Sequence, residues 1–208
     1  AILTDWRDKV PAILCVFLPG EQFGNALADV VFGAVAPQGK LPLTFPNVDN
    51  EQGMTVQQWP GVPSTEFPGS KHVVYSEKQM NGYRWYDKHG VVPAFAFGHG
   101  LSYGGTATYY GLKVEGRRVS FQVDVPAGGC DTPQVYVGYP GGEGEGDVPS
   151  KVLRGFEKVC GRGGRGGRGG RGEQKKETTT TTTMVSLMLS DRDVSEWDVD
   201  AKAWTVVK

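Results

Sequence analysis

The sequence predicts an α/β portion followed by an all-β sandwich, and three observations carry that expectation. A continuous apolar run, Ala12 to Leu18, leads directly into a short amphipathic segment, the strand-then-helix unit of a parallel α/β layer. From Tyr109 onward the chain shows short strand-like runs separated by Gly, Pro and Asp turns. The change of character falls near residue 104, which divides the chain into 1–103 and 104–208.

Ala12 to Leu18 (AILCVFL) is apolar on both faces and reads as a strand buried on both sides, ended by Pro19 and Gly20. Gly24 to Phe32 then reads as a short helix. Leu27, Val30 and Val31 recur at helical spacing, and Gly33 supplies the stop. Pro37 to Pro46 is too rich in proline for a helix and reads as an extended crossing segment. Residues 47–72 carry little periodicity and read as a long surface loop, after which aromatic residues cluster from Tyr75 to Tyr103. The strand-like runs that follow are Tyr109 to Val114, Val119 to Val125, Gln134 to Tyr139, Val152 to Val159 and Met184 to Leu189. In the second of these Val119, Phe121, Val123 and Val125 alternate with Ser120, Gln122 and Asp124, the pattern of a half-buried strand.

One segment interrupts this series. Gly161 to Gly172 is an arginine–glycine repeat and Thr178 to Thr183 is a threonine homopolymer. Neither can bury apolar surface to offset its ordering entropy, so a disordered insertion is expected at about 161–183. The net charge is −1, but the window from Lys158 to Glu177 carries +5, which leaves the rest of the chain at −6. An acidic body does not bind nucleic acid by default. The window's four repeat arginines, Arg162, Arg165, Arg168 and Arg171, lack the interleaved aromatics of RNA-binding segments, so nucleic acid is not an expected partner. No run of 18 apolar residues exists, so no membrane partner is expected. The opening residues carry no apolar signal core and read as the interior of a longer chain. The three cysteines, Cys15, Cys130 and Cys160, have no CxxC spacing, which argues against zinc. Cys15 reads as a buried thiol, and a Cys130–Cys160 bridge is left open.

Four motifs, in order, carry a family resemblance. They are Leu18 to Gly33 (LPGEQFGNALADVVFG), Pro37 to Pro46 (PQGKLPLTFP), Gly82 to Asp87 (GYRWYD) with Pro93 to Tyr103 (PAFAFGHGLSY), and Pro149 to Val159 (PSKVLRGFEKV) with Asp191 to Asp198 (DRDVSEWD). Together they resemble the C-terminal part of glycoside hydrolase family three β-glucosidases. The resemblance implies an immunoglobulin-like, fibronectin type III-like sandwich over 104–208 and the end of an α/β sandwich domain over 1–103. It implies an enzyme that hydrolyses terminal non-reducing β-D-glucosyl residues with retention, without metal or cofactor. β-Xylosidase or exo-glucanase specificity stays open, as does a non-catalytic carbohydrate-contacting module. Retention requires two carboxyl groups roughly 5–5.5 Å apart. In the family both lie ahead of the Leu18 to Gly33 motif, so no catalytic, cofactor-binding or metal residue is assigned in this chain. The resemblance further implies a glucoside or oligosaccharide substrate met through upstream domains, and a secreted or extracellular parent. Self-association into a homo-oligomer is compatible with it.

Several residues invite functional readings. Glu21, in the turn before the helix, is expected to accept backbone N–H bonds at the helix N-terminus, and Asp29 to find an ion-pair or hydrogen-bond partner. His99 lies between two glycines with no second histidine at ligand spacing. His72 and His89 fall in loop-like segments, so the His99 imidazole is expected to satisfy buried backbone groups. Tyr83, Arg84, Trp85, Tyr86 and Asp87 could form a sugar platform. Read as a strand, they place Tyr83, Trp85 and Asp87 on one side and Arg84 and Tyr86 on the other. The expectation is a sealed domain interface in which Arg84 pairs with a carboxylate.

Overall fold

The computed structural model describes residues 3–139, 148–162 and 180–207. In chain order its regular elements are α1 (Phe23–Val31), β1 (Val62–Pro63), β2 (Lys71–His72), α2 (Tyr83–His89), β3 (Thr108–Glu115), β4 (Arg118–Val125) and β5 (Cys130–Asp131). There follow β6 (Gln134–Val137), β7 (Val152–Phe156), β8 (Val159–Cys160), β9 (Thr181–Met188), β10 (Ser195–Asp198) and β11 (Ala203–Val206). The fold is mostly sheet with few helices. Two units divide it, one of residues 1–13, 41–99 and 138–152, the other of 14–40, 100–137 and 153–208.

The first unit is built on short-range turns rather than long elements. β1 and β2 pair antiparallel, with Val62 opposite His72 and Pro63 opposite Lys71, so the 47–72 segment read as a loop contains a short strand pair. Phe45 and Phe95 form an isolated antiparallel bridge, exchanging N–H···O bonds of 2.8 and 3.3 Å. Their rings meet edge to face at 6.0 Å. Phe45, Met80, Tyr86, Tyr139 and Val152 are its buried apolar side chains among the described residues.

The second unit holds the larger core. β4 pairs with β3 on one side and β9 on the other, both antiparallel. The alternation of β4 is realised: Val119, Phe121, Val123 and Val125 are buried, and Ser120, Gln122 and Asp124 are half-buried. With Val159, Val185 and Leu189 they make one cluster, against which Ala107, Val135, Val137, Leu187 and Val194 pack. β10 and β11 form a ribbon in which Trp197 lies opposite Trp204, rings 5.6 Å apart, with the Arg192 guanidinium 3.5 Å above Trp204.

Three expectations are corrected. Ala12 to Leu18 is not a strand: it pairs with no backbone among the described residues, and its large side chains are exposed. A strand apolar on both faces needs a neighbour on each edge and a cover on each side. None is present here, and Phe17 sits in the left-handed region with φ of 46°. Helix α1 does form, yet Leu27 and Val30 are only half-buried and Val31 is exposed. The threonine run is not uniformly irregular either. Thr181, Thr182 and Thr183 open β9, opposite Val125, Asp124 and Val123. Threonine is β-branched and suits a strand, and Thr182 Oγ1 donates a 2.6 Å bond to Asp124 Oδ1. Residues 163–179, the bulk of the expected insertion, lie outside the described residues.

Cys130 and Cys160 sit directly opposite each other on β5 and β8 and are joined by a disulfide, with Cα atoms 4.0 Å apart. This resolves the pairing left open by the sequence. Cys15 is a free thiol, and it is half-exposed rather than buried.

Candidate functional site: a polar groove on helix α2

The residues singled out from the sequence do not converge. Glu21 is exposed in the turn before α1 and makes no cap. The N-cap is Gln22, which makes no capping bond; its Oε1 accepts instead from Asn25 Nδ2 at 2.8 Å. Asp29 is exposed; its backbone carbonyl accepts from Val35 N–H at 3.0 Å, and its carboxylate has no partner among the described residues. His99 is exposed too. Its backbone rather than its imidazole serves the bend, the carbonyl accepting from Leu41 N–H at 2.8 Å and the N–H donating to Ala96 at 3.0 Å. Its ring tilts against Phe95 with centroids 5.5 Å apart.

The aromatic segment Tyr83 to Asp87 differs most from its reading. It is the body of α2, not a strand, so side chains meet at three- and four-residue spacing instead of alternating. Gly90 closes the helix in the left-handed conformation, φ of 62°, with Val91 N–H donating to Tyr86 O at 3.1 Å. Tyr83 and Trp85, two positions apart, imitate a strand, and the flanking glycines, Gly82 and Gly90, are the signal that sequence reasoning passed over.

The helix sorts the segment onto three sides. Tyr86 is buried, and its hydroxyl donates a 2.6 Å bond to Glu51 Oε2. Glu51 also accepts from Asn47 N–H at 3.0 Å and from Asn47 Nδ2 at 2.9 Å. The Tyr86 hydroxyl first, and the Asn47 side chain next, hold the Glu51 carboxyl below its ordinary value against the opposing effect of burial. Burial, then the bond to Glu51 and its charge, push the Tyr86 phenol above its ordinary value. Glu51 is thus fully engaged as an acceptor, a structural role rather than an acid or base. Tyr83 stacks on Phe97 at 4.7 Å with the Arg84 guanidinium 5.6 Å from the Tyr83 ring centre. Among the described residues no carboxylate pairs with Arg84, whose Nε is buried without a partner. Asp87 pairs with Lys151 Nζ at 3.1 Å.

Trp85, Lys88 and His89 share the third side and line a groove of about 240 Å³ in the first unit. The indole and imidazole rings stack at 4.4 Å with 25° between planes. His89 Nδ1 lies 2.8 Å from Trp85 O. A carbonyl only accepts, so Nδ1 carries the proton and Nε2 is the ring's remaining hydrogen-bonding atom. Gln58 and Glu77 face the helix, with Gln58 Nε2 donating to Glu77 Oε2 at 2.8 Å. Gln58 Oε1 in turn accepts from Thr55 N–H at 2.9 Å and Thr55 Oγ1 at 3.1 Å. Met54 and Met80 supply the apolar part of the lining. Among the described residues no three His, Cys, Asp or Glu side chains are grouped so as to hold a metal ion. No helix among the described residues is long and apolar enough to cross a membrane.

A second polar cluster lies in the other unit. Lys40 Nζ pairs with Asp131 Oδ1 at 2.6 Å and also donates to Gly100 O at 3.1 Å. The Tyr109 hydroxyl donates to the other Asp131 oxygen. Burial pushes the Asp131 carboxyl up, but the bonds from Lys40, Tyr109 and Thr132 N–H, with the Lys40 charge, hold it below its ordinary value.

Residues 1–103 match the model of the glycosyl hydrolase family 3 C-terminal domain. The chain is 29% identical to probable β-glucosidase M of Aspergillus niger over 98% of its own length and 27% of that protein's. It is 37% identical to a β-glucosidase of Rhizobium radiobacter over 74% of its length and 19% of the relative's. Among solved structures it resembles β-glucosidase 3B from Thermotoga neapolitana in complex with glycerol. There the TM-score is 0.70 and the identity 32%, covering 92% of this chain and 24% of that one. It also resembles DesR, a β-glucosidase from Streptomyces venezuelae in complex with D-glucose, with a TM-score of 0.75 and 26% identity over 99% and 24% of the two chains. The chain belongs to glycosyl hydrolase family 3. It spans between 18% and 27% of the length of these curated relatives.

Proposed function

We propose that the chain is the C-terminal portion of a retaining β-glucosidase that removes terminal non-reducing β-D-glucosyl residues from glucosides and oligosaccharides in carbohydrate metabolism. In this reading residues 1–103 finish an α/β sandwich, and 104–208 form a fibronectin type III-like sandwich beside it. The observation that carries the reading is the likeness to β-glucosidases, 29% identical over 98% of the chain in one case and 37% over 74% in another, beside the four motifs that stand in order in this sequence, Leu18–Gly33, Pro37–Pro46, Gly82–Tyr103 and Pro149–Asp198. The aspartate nucleophile and glutamate acid/base of such an enzyme belong, in the family, to sequence ahead of the first motif. This portion therefore contributes scaffold and packing, not the reacting carboxylates, and the parent acts outside the cell.

The test is a chimera of β-glucosidase 3B from Thermotoga neapolitana. Removing the segment that this chain matches is expected to abolish turnover of p-nitrophenyl β-glucoside, and grafting these 208 residues in its place to restore part of it. A folded chimera no more active than the truncation overturns the reading. The 208-residue chain by itself is expected to turn over none of this substrate, and measurable turnover contradicts the assignment of both carboxylates elsewhere.

A further inference from the structure

We propose that the groove on α2 binds one neutral pyranose ring, with the stacked Trp85 and His89 rings as its aromatic wall and the Gln58–Glu77 pair as the edge that reads its hydroxyls. The inference stands on the groove itself and does not require the glucosidase reading.

Its size comes first. At about 240 Å³ the groove falls below the roughly 300–1,000 Å³ of pockets that take drug-sized molecules, so it accommodates a single ring rather than an extended chain. The balance of its walls comes next. A Trp ring and two Met side chains stand against Gln52, Gln58, Ser76, Glu77, Lys88 and His89. A pyranose has the same two-sided character: a face of C–H bonds that suits the negative face of an aromatic ring, and an equator of hydroxyls.

The polar groups narrow the class further. Amides and a hydroxyl both donate and accept, as each sugar hydroxyl does. A phosphate or carboxylate only accepts and would meet the Glu77 charge. An ammonium ligand would meet Lys88. The groove carries one of each sign and favours neither ion.

Preorganisation is the third argument. Gln58 is held at both ends, by Thr55 on its oxygen and by Glu77 on its nitrogen. Its second amide proton and Glu77 Oε1 are left over from these bonds as one donor and one acceptor, the pair of functions that a sugar hydroxyl can meet. Trp85 is fixed by His89 on one side and by the Tyr86 ring, edge to face at 5.1 Å. A site whose groups are already fixed loses little entropy when it is filled.

The experiment uses the 208-residue chain and methyl β-D-glucopyranoside, methyl β-D-galactopyranoside and inorganic phosphate as probes, read by saturation-transfer difference NMR and calorimetry. Saturable binding of at least one glycoside is expected with a dissociation constant in the millimolar range, with the strongest transfer to protons on one face of the ring. Trp85→Ala and Glu77→Gln are expected to weaken it at least five-fold. Because Trp85 also packs α2, Ser76→Trp provides a second arm: Ser76 is exposed, so a bulky side chain there blocks the groove while the helix packing stays intact. Trp59→Ala, at an exposed tryptophan outside the lining, should leave binding unchanged. No saturable glycoside binding overturns the proposal. So does binding that survives both Trp85→Ala and Ser76→Trp, or phosphate binding tighter than either glycoside. The chimera decides the parent's activity separately, so the two readings fail independently.

Discussion

The Tyr86 hydroxyl donates a 2.6 Å hydrogen bond to Glu51, 35 residues earlier in the chain, and so ties α2 to the turn-rich segment before it. Tyr86 is buried while Glu51 is half-exposed, so Tyr86→Phe should cost about 1–2 kcal/mol, the lower part of the range for bonds to charged groups. The pH dependence follows in sign. The folded Glu51 carboxyl lies below its ordinary value of 4.5, so its contribution is full above that pH and is lost as the pH falls through the folded value. The gap between wild type and Tyr86→Phe in urea unfolding should therefore shrink on going from pH 7 to pH 3. A gap that widens in acid would contradict the assignment.

Local patterning made part of this fold legible, and distance hid the rest. The strands from Tyr109 to Leu189 could be read because a half-buried strand writes its own period into the sequence, as Val119 to Val125 does. The Tyr83 to His89 helix could not, since Tyr83, Trp85 and Asp87 on one side and Arg84 and Tyr86 on the other satisfy a strand pattern as well as a helix. The turn at Gly90, and not the apolar period, decides it. Glu51 and Gln58 lie in a segment without any period, and their roles come from partners at Tyr86 and Glu77 that no spacing rule connects. The Thr181–Thr183 start of β9 was hidden by composition: a homopolymer looks uniform, but β4 supplies a partner to its end alone among the described threonines.

Asp131 should be the most sensitive surface carboxylate of the second unit. Its side chain and that of Lys40 are only 14% and 20% exposed, so removing one leaves the other charge poorly solvated. Asp131→Ala is expected to cost about 3 kcal/mol, toward the low end for a broken buried pair because water still reaches Lys40. The Lys40→Met/Asp131→Ala double variant should lose less than the sum of the single changes in a denaturant cycle. Strict additivity would mean that the pair contributes nothing. The Asp131 carboxyl lies below its ordinary value of 3.8, so this stabilisation is present above that pH and disappears below it.

The Cys130–Cys160 disulfide closes a sequence separation of 30 residues. On the chain-entropy account a loop of that size contributes about 3–4 kcal/mol, mostly by restricting the unfolded chain. Replacing both cysteines by alanine should lower the unfolding free energy by that amount. Alkylation of the denatured, unreduced chain should modify one thiol, Cys15, and alkylation after reduction all three. Three modified thiols without reductant would show that the bridge does not form.

Gly161 separates placement from composition, because it opens the arginine–glycine repeat yet sits in a packed position. Its N–H donates to Gly129 O at 3.0 Å, and Gly128 N–H donates to Arg162 O at 2.8 Å, which holds the start of the repeat against the turn after β4. A Cβ on Gly161 would lie 2.2 Å from the Pro126 carbonyl oxygen and 3.0 Å from that of Val125, both backbone atoms that cannot swing aside. Space, not dihedral freedom, demands glycine there. Gly161→Ala should cost about 1–3 kcal/mol, as overpacking does. Gly24→Ala makes the opposite control. It lies inside α1 with nothing within 4 Å of the added carbon, so alanine should stabilise the helix by up to about 1 kcal/mol. Thermal unfolding of the two variants beside the wild type decides the point. If Gly161→Ala melts with the wild type, the first residue of the repeat is not packed against Pro126, and the repeat begins there as composition alone suggested.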